Sequence, residues 1–491
     1  MNNDFRIGVD AGGTFTDFVL AEKTGDIHLF KAPSTPEDGT LAIANGLQQI
    51  ANKFNRPIED IIQACDLCIN GTTVALNALI QMTGVKVGLL CTKGHEDSIE
   101  IRLGHKEEGH RYDASYPPAP QIATRDRRFP IRGRILADGS EHEPLNEQDI
   151  LDAIEVLKQQ DVQAVAISFV WSIRNTEHEQ RAKELIEQHM PGVFVCCGSE
   201  VYPQIKEYTR TSTTLVNAYL SPVMASYVHK IDDYFKALGA EQPVRYFQSN
   251  GGLAVGNIMR ERAVNAINSG PASAPQAGLY IASAFGQIIS DIKYNYLATQ
   301  MMIIAPDSEL QSLNATLHEL ESLGVQKLLE DGFVEDDIII ERTMEMRYVG
   351  QVHECNVLIP NGKLDVDSVQ TILEAFHHRH KELYTYDECD NKVELVNIEV
   401  AVIGKISKPK LPELAKQQGD VSQAQVGSRE MIMDQEYEWI DTPIYNGEEF
   451  GAGAMIAGPA LIQEPTTTIV IKKGWQAELH ETGTYKLTKA A

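Results

Sequence analysis

The chain has 491 residues and no apolar run that approaches the ~20 residues of a bilayer-spanning helix. Its first residues, MNNDFRIGVD, contain no basic stretch followed by an apolar segment, so no secretory signal is read and a cytoplasmic location is expected. Cysteine is sparse and odd in number, seven in all, which makes no disulfide framework and fits a reducing compartment. Cys65 and Cys68 have CxxC spacing but no second metal-type pair accompanies them, and Cys196 and Cys197 sit in an apolar, strand-like run. All four are expected to be packing residues, since a free thiol behaves as a small buried hydrophobe. Positive charge is also short: 43 Lys and Arg against 69 Asp and Glu leave a formal charge of −26. Such a surface repels nucleic-acid phosphates and anionic membranes, so neither is expected as a partner. An anionic nucleotide needs local amides, a metal ion or a few placed cations to bind.

What is present is the balance of a globular chain, 43% hydrophobic and 23% charged, long enough for two to four domains. Residues 5–10, 16–20 and 27–31 read as three strands joined by tight turns, a meander. Ile43, Leu47, Ile50 and Phe54 give residues 40–54 helical periodicity. Strands are expected at 85–91 and 161–171, and helices at 146–159, 177–188 and 203–240. This mixture indicates an α/β fold. Residues 100–135, rich in Arg, His, Pro and Gly, read as a long loop or inserted excursion. After a helix near 310–330, strands dominate (338–348, 352–359, 394–406 and several beyond 430), with one helix at 367–384 and a polar linker at 409–427. The expected units are 1–200, 201–300 and a β-rich 301–491.

The clearest chemical feature is Asp10-Ala-Gly-Gly-Thr-Phe-Thr-Asp17. A strand ends on Asp10, and a second strand starts after Gly12 and Gly13. Glycines allow close approach of an anion and positive φ. Amides around Gly12, Gly13 and Thr14 can donate to phosphate oxygens, with Thr14 and Thr16 adding hydroxyls. Asp10 and Asp17 are the catalytic candidates; they can hold a water or Mg²⁺, with Asp10 as the metal candidate. No Gly-Lys-Ser/Thr follows, so this is not a Walker loop, and a strand rather than a helix follows, so it is not a dinucleotide fingerprint. An ordinary Gly-Gly hairpin is the alternative. A second group, Asn70-Gly-Thr-Thr-Val-Ala-Leu-Asn77, runs from a strand into a helix; Thr72, Thr73 and Asn77 suit an anion, or one of the threonines is a simple N-cap. Glu207, Arg210 and Asn217 lie on one helix, facing a cleft or forming a salt-bridged surface. Asn250 and Gly251 sit in a polar turn, followed by Asn268-Ser-Gly-Pro-Ala272. Met346–Glu354 alternates as a strand, in which Arg347 and Glu354 can pair. His377 and His380 are at metal-pair spacing, with a solvated face the favoured reading.

Together these motifs resemble the hydantoinase A/5-oxoprolinase family. DAGGTFTD at 10–17, NGTTVALNAL at 70–79, EYTRTSTTLVNAYLSP at 207–222, QSNGGL at 248–253, NSGPA at 268–272, MRYVGQVHE at 346–354 and IAGPALIQEPTTT at 456–468 are similar to family signatures in order along nearly the whole chain. The second usually begins with His, where this chain has Asn70. The resemblance implies a ribonuclease-H-like, actin-type ATPase fold with an added β-rich C-terminal domain. It implies ATP and Mg²⁺ as cofactors, a hydantoinase B-type partner subunit in an oligomer, and phosphorylation of a carbonyl oxygen of a cyclic amide, followed by ring opening. A ketone carboxylase of the acetophenone type is the alternative reaction, and a non-catalytic scaffold subunit a third reading.

The family's second Asp-x-Gly-Gly-Thr hairpin and its Gly-Gly-Ala-Gly loop are absent: the chain's two Gly-Gly pairs are 12–13 and 251–252. Tyr280–Gln287, similar to the entry of the second ATPase half, runs directly into Ile288–Tyr294, similar to the segment after it. A block on the order of 200 residues, one domain's worth, is therefore expected to be missing at 287/288.

Overall fold

The computed structural model describes residues 5–24, 26–35, 38–102, 110, 112–113, 115–116, 120–272, 291–351, 353–405, 413–432, 439–464 and 467–490. The first strands alternate as the sequence dictates. Strand β1 (Phe5–Ala11) buries Phe5, Ile7 and Val9, and β2 (Phe15–Glu22) buries Thr16, Phe18 and Leu20. With β3 (Ile27–Pro33) they form the expected antiparallel meander, in which Asp10 faces Asp17 and Asp17 faces Lys31. Helix α1 (Gly39–Phe54) covers the inward face with Ile43, Leu47 and Ile50. Its N-cap is Asp38, whose carboxylate accepts from Thr40 N at 3.1 Å. Gly46 is required there, because a Cβ would lie 2.1 Å from the Phe18 ring. Strand β4 (Cys65–Thr72) adds parallel to β1 and leads into α2 (Val74–Ile80).

A separate four-stranded parallel sheet is built from β5 (Val87–Thr92), β6 (Arg128–Ile131), β7 (Ala164–Ser168) and β8 (Phe194–Cys197), in the order β8-β7-β5-β6. Every residue of β5 and β7 is buried. Leu90, Val165, Ile167 and Cys197 pack in one core with α3 (Glu147–Gln159) and α4 (Glu177–His189). Leu89, Ala164, Ala166 and Cys196 pack in the main core with α5 (Glu207–Ala237). Both faces are therefore covered, as continuous apolar runs require. Pro222 lies inside α5, which continues through it, and the nearby Tyr219 carbonyl accepts from Val85 N at 3.1 Å.

Strand β9 (Arg245–Phe247) lies parallel to β4, and β10 (Leu253–Val255) returns antiparallel. Next come β11 (Ile292–Ile304), α6 (Gln311–Glu330), β12 (Ile338–Tyr348), β13 (Cys355–Ile359), α7 (Val366–Tyr384) and β14 (Val393–Gly404). One ten-stranded sheet results, ordered β13-β12-β14-β11-β10-β9-β4-β1-β2-β3. Its two halves meet through one pair, Leu253 with Ile292. Two small sheets follow, the first holding Gln425–Ile432 and Trp439–Asn446 and the second Trp475–Leu479 and Tyr485–Lys489, around a core of Phe450, Ile456, Ile462 and Leu479.

Several sequence expectations are corrected. Residues 100–135 are not loop throughout, since β6 lies inside them; most of the RLGHKEEGHRYD segment is outside the described residues. The linker expected to reach Gly427 ends in a short turn at Val421–Ala424 and a strand from Gln425. Long strand β11 was not read from the sequence, and the 287/288 join itself falls outside the described residues. His380 is fully buried rather than solvated. Its Nε2 meets Gln351 Nε2 at 3.0 Å, and Tyr348 OH meets His377 Nδ1 at 2.7 Å, so both imidazoles belong to a polar latch rather than an exposed face. Cys65 and Cys68 are buried, their sulfurs 3.4 Å apart.

Candidate functional site

The turn between β1 and β2 is held by its own backbone and by Ser34. Gly12 N donates to Asp10 O at 3.2 Å and Phe15 O at 3.1 Å. That amide is thus used inside the hairpin rather than presented to a ligand. A Cβ on Gly12 would lie 2.9 Å from Phe15 O, which is why glycine stands there. Gly13 faces open space. Neither glycine has the positive φ expected from the sequence; the requirement is close approach. Ser34 N donates to Thr14 O at 2.9 Å, and Ser34 Oγ donates to Gly12 O at 2.7 Å. Thr16 Oγ1, itself buried, is 3.0 Å from Ser34 Oγ. Ser34 was missed in the sequence because nothing in Pro33-Ser34-Thr35 predicts that β3 returns beside the turn.

Strand alternation splits the motif between two faces of the sheet. Thr16 points inward, toward α1, while Asp10 and Asp17 point to the opposite face. There Asp10 sits beside Gly71, where a Cβ would come within 3.1 Å of its Oδ1. Its carboxyl is pushed above the usual range, first by partial desolvation at the foot of the hairpin and then by the facing Asp17 charge. Lys31 Nζ lies 3.1 Å from Asp17 Oδ1 and offsets part of that repulsion. Gly13 and Thr14 form the exposed tip where the two faces meet.

On the inward side a cavity of about 310 Å³ opens beneath the tip. Gly12, Gly13, Thr16 and Ser34 line it from the hairpin, Thr73 and Asn77 from α2, and Tyr227 from α5. The first two sequence motifs therefore converge. Thr73 N donates to Ala11 O at 3.3 Å, fastening α2 to β1, and Asn77 Nδ2 donates to Thr73 Oγ1 at 3.1 Å. Thr72 Oγ1 accepts from Val74 N at 3.2 Å within that turn and is buried. Tyr227 OH donates to Asn70 Oδ1 at 3.0 Å; Asn70 Nδ2 is buried without a partner among the described residues. Burial pushes the Tyr227 hydroxyl up from its ordinary value. None of the described residues lining the cavity is charged. A polyanion at the tip needs its counter-charge from elsewhere.

The remaining candidates are not brought to this cavity. Arg210 is buried and donates to Gln204 O at 2.7 Å and Phe169 O at 3.2 Å, pinning α5 to the four-stranded sheet. Neither a cleft nor a salt-bridged surface describes it. Glu207 lies in the first turn of the same helix. Asn217 is buried; its Nδ2 donates to Glu261 O at 2.9 Å and its Oδ1 accepts from Val264 N at 3.2 Å. Asn250 Oδ1 accepts from Gly252 N at 2.8 Å, and Gly251 takes φ +79°, which closes the β9–β10 turn. Arg347 does pair with Glu354, Nη1 to Oε1 at 3.3 Å.

Family models match in chain order: the hydantoinase/oxoprolinase N-terminal region at 6–190, hydantoinase/oxoprolinase at 210–292, and the hydantoinase/oxoprolinase C-terminal domain at 305–490. The chain is 40% identical to the caprolactamase subunit alpha of Pseudomonas jessenii over 688 aligned positions, covering 99% of each. It is 33% identical to the acetophenone carboxylase gamma subunit of Aromatoleum aromaticum strain EbN1, over 57% of this chain and 39% of that one. The crystal structure of ATP-dependent caprolactamase from Pseudomonas jessenii superposes with a TM-score of 0.88 at 40% identity, covering 99% of this chain and 100% of that one. A nucleotide-free acetone carboxylase shares the fold, with a TM-score of 0.78 at 16% identity over 99% of this chain and 100% of that one. The protein belongs to the hydantoinase/oxoprolinase family.

Proposed function

We propose that this chain is the ATP-handling subunit of a cyclic-amide-opening amidohydrolase, working with a hydantoinase B-type partner in an oligomer in a reducing cytoplasm. The observation that carries the reading is the end-to-end similarity to a caprolactamase alpha subunit. The β3-β2-β1 meander with β4 added in parallel supports a ribonuclease-H-like first unit within 1–200, and β9, from residues 245–247, extends the same sheet. The exposed Gly13 and Thr14 tip would receive phosphate oxygens. The facing Asp10 and Asp17 fit a hard cation, because a divalent ion relieves the repulsion that raises Asp10; Asp10 would hold Mg²⁺, directly or through water. Mg-ATP, when bound, supplies the phosphoryl group that activates the amide oxygen. Ser34 and Thr16 keep the turn rigid, and Thr73, bonded in turn by Asn77, holds α2 against it.

The reading includes an absent second jaw. The 688 aligned positions exceed this chain's 491 residues by an amount on the order of one domain. With residues 201–300 as the remnant of the central unit, the chain alone grips nucleotide from one side. Ketone carboxylation is the second reading, favoured by the carboxylase similarity over part of the chain. A scaffold subunit without turnover is the third. Co-expression with a B-type subunit and assay of ATP-dependent products separates them. A ring-opened amino acid supports the first, a carboxylated ketone supports the second, and a stable complex without ATP turnover supports the third.

A further inference from the structure

Among the described residues four arginines are nearly inaccessible: Arg128, Arg210, Arg245 and Arg342. Arg128 and Arg342 are well supplied with acceptors, and Arg210 lacks one at Nε among the described residues while both of its terminal nitrogens are bonded. Arg128 donates to Ala123 O at 3.0 Å, Glu100 Oε2 at 2.9 Å and Gln121 Oε1 at 2.8 Å. Arg210 reaches the two carbonyls described above, and Arg342 reaches Glu321, Pro360 O and Gly362 O. Arg245 differs. It is 6% exposed, and its Nη1 is buried with no hydrogen-bond partner among the described residues. Its contact with Asp331 Oδ2, at 3.7 Å, is too long for a hydrogen bond. A buried guanidinium left unsatisfied is costly and calls for an acceptor.

Arg245 lines a cavity of about 180 Å³ with Asp66, Leu67, Gln242, Asp331 and Phe333. That is room for a small molecule, a water's share of liquid being about 30 Å³. The two carboxylates around it are already engaged. Asp66 accepts from Arg6 Nε and Nη2, each at 3.0 Å. Asp331 accepts from Tyr294 OH at 2.6 Å and Lys327 Nζ at 3.2 Å. Among the described residues lining this cavity, Arg245 is thus a cation with an unspent Nη1. The cavity lies at the Asp66 end of β4, whereas the hairpin cavity lies at the Thr72–Thr73 end.

We propose that this cavity binds a small carboxylate monoanion, with Arg245 as its anchoring cation. The planar guanidinium fork matches the two oxygens of a carboxylate. Asp66 and Asp331 beside it disfavour a doubly charged anion such as phosphate. The site is independent of the nucleotide reading at the hairpin.

The test is isothermal titration of the full chain with sodium acetate, at constant ionic strength set with sodium chloride. Saturable binding is expected, weakened about tenfold or more in Arg245→Met and, to a lesser degree, in Arg245→Lys, because hydrogen bonds to charged groups are among the strong ones. Leu67→Phe, which keeps the arginine and fills the cavity, should also abolish binding; it decides the matter if circular dichroism shows Arg245→Met to be unfolded. No saturable uptake by the unaltered protein, or equal uptake by all variants, overturns the site. Inorganic phosphate binding tighter than acetate overturns the carboxylate assignment.

Discussion

Two sheets of this molecule solve the same burial problem differently. The four-stranded parallel sheet is covered on both faces, and each residue of β5 and β7 is buried. The meander end of the ten-stranded sheet is covered on one. Its outward row of Phe15, Val19, Ile27 and Leu29 is between 40% and 46% exposed, while Phe18 beside Val19 is 1% exposed. An apolar face left open on a sheet marks a surface meant for something else. The parallel sheet is finished structure. The meander carries Asp10 and Asp17 on that open face, where the half-site is proposed.

The contrast predicts sharply different costs within one strand. Phe18→Ala empties the space against Gly46 and should cost about 3–5 kcal/mol, read by denaturant unfolding. On α4, which covers the parallel sheet, Glu179 is fully buried and accepts from Phe169 N at 2.8 Å and from Ser199 N at 2.9 Å. Glu179→Ala strands both amides and should cost about 3 kcal/mol by the same measurement. Val19→Thr and Leu29→Thr should stay within about 0.5 kcal/mol in the isolated chain and reduce self-association in sedimentation. A cost there as large as at Phe18 would mean the outward face is covered after all.

The smallest effect is electrostatic. Desolvation and the facing Asp17 hold the Asp10 carboxyl above its ordinary range, so the folded state binds that proton more tightly than the unfolded chain. The stabilisation is full below the ordinary carboxyl pKa and is lost as pH rises through the raised value. Asp10→Asn should therefore show a smaller fall in Tm than the unaltered protein between about pH 4 and about pH 7.

Much of this was legible in the sequence, for physical reasons that also mark its limits. Period-two alternation announces β1 and β2, and Ile43, Leu47 and Ile50 announce α1, because local pattern sets which face is buried. Each motif is legible by itself, and the convergence of hairpin and Thr73 is not, since it depends on parallel pairing of strands more than fifty residues apart. Alternation alone placed Thr16 and Asp17 on opposite faces, yet a ligand motif read as a string hides that division. Arg210 and Asn217 looked like ligand residues because burial of polar side chains is decided by tertiary partners. Arg245, in the run Val-Arg-Tyr-Phe, carries no local signal at all; its lack of an acceptor is a property of packing.

The most direct test of the half-site is titration of Mg-ATP into the isolated chain by calorimetry. If the proposed hairpin is the chain's one phosphate clamp, with no charged side chain among the described residues lining its cavity, binding should be weak, with no saturation in the micromolar range. Saturable micromolar binding by the chain alone would contradict the half-site reading of Asp10 to Asp17.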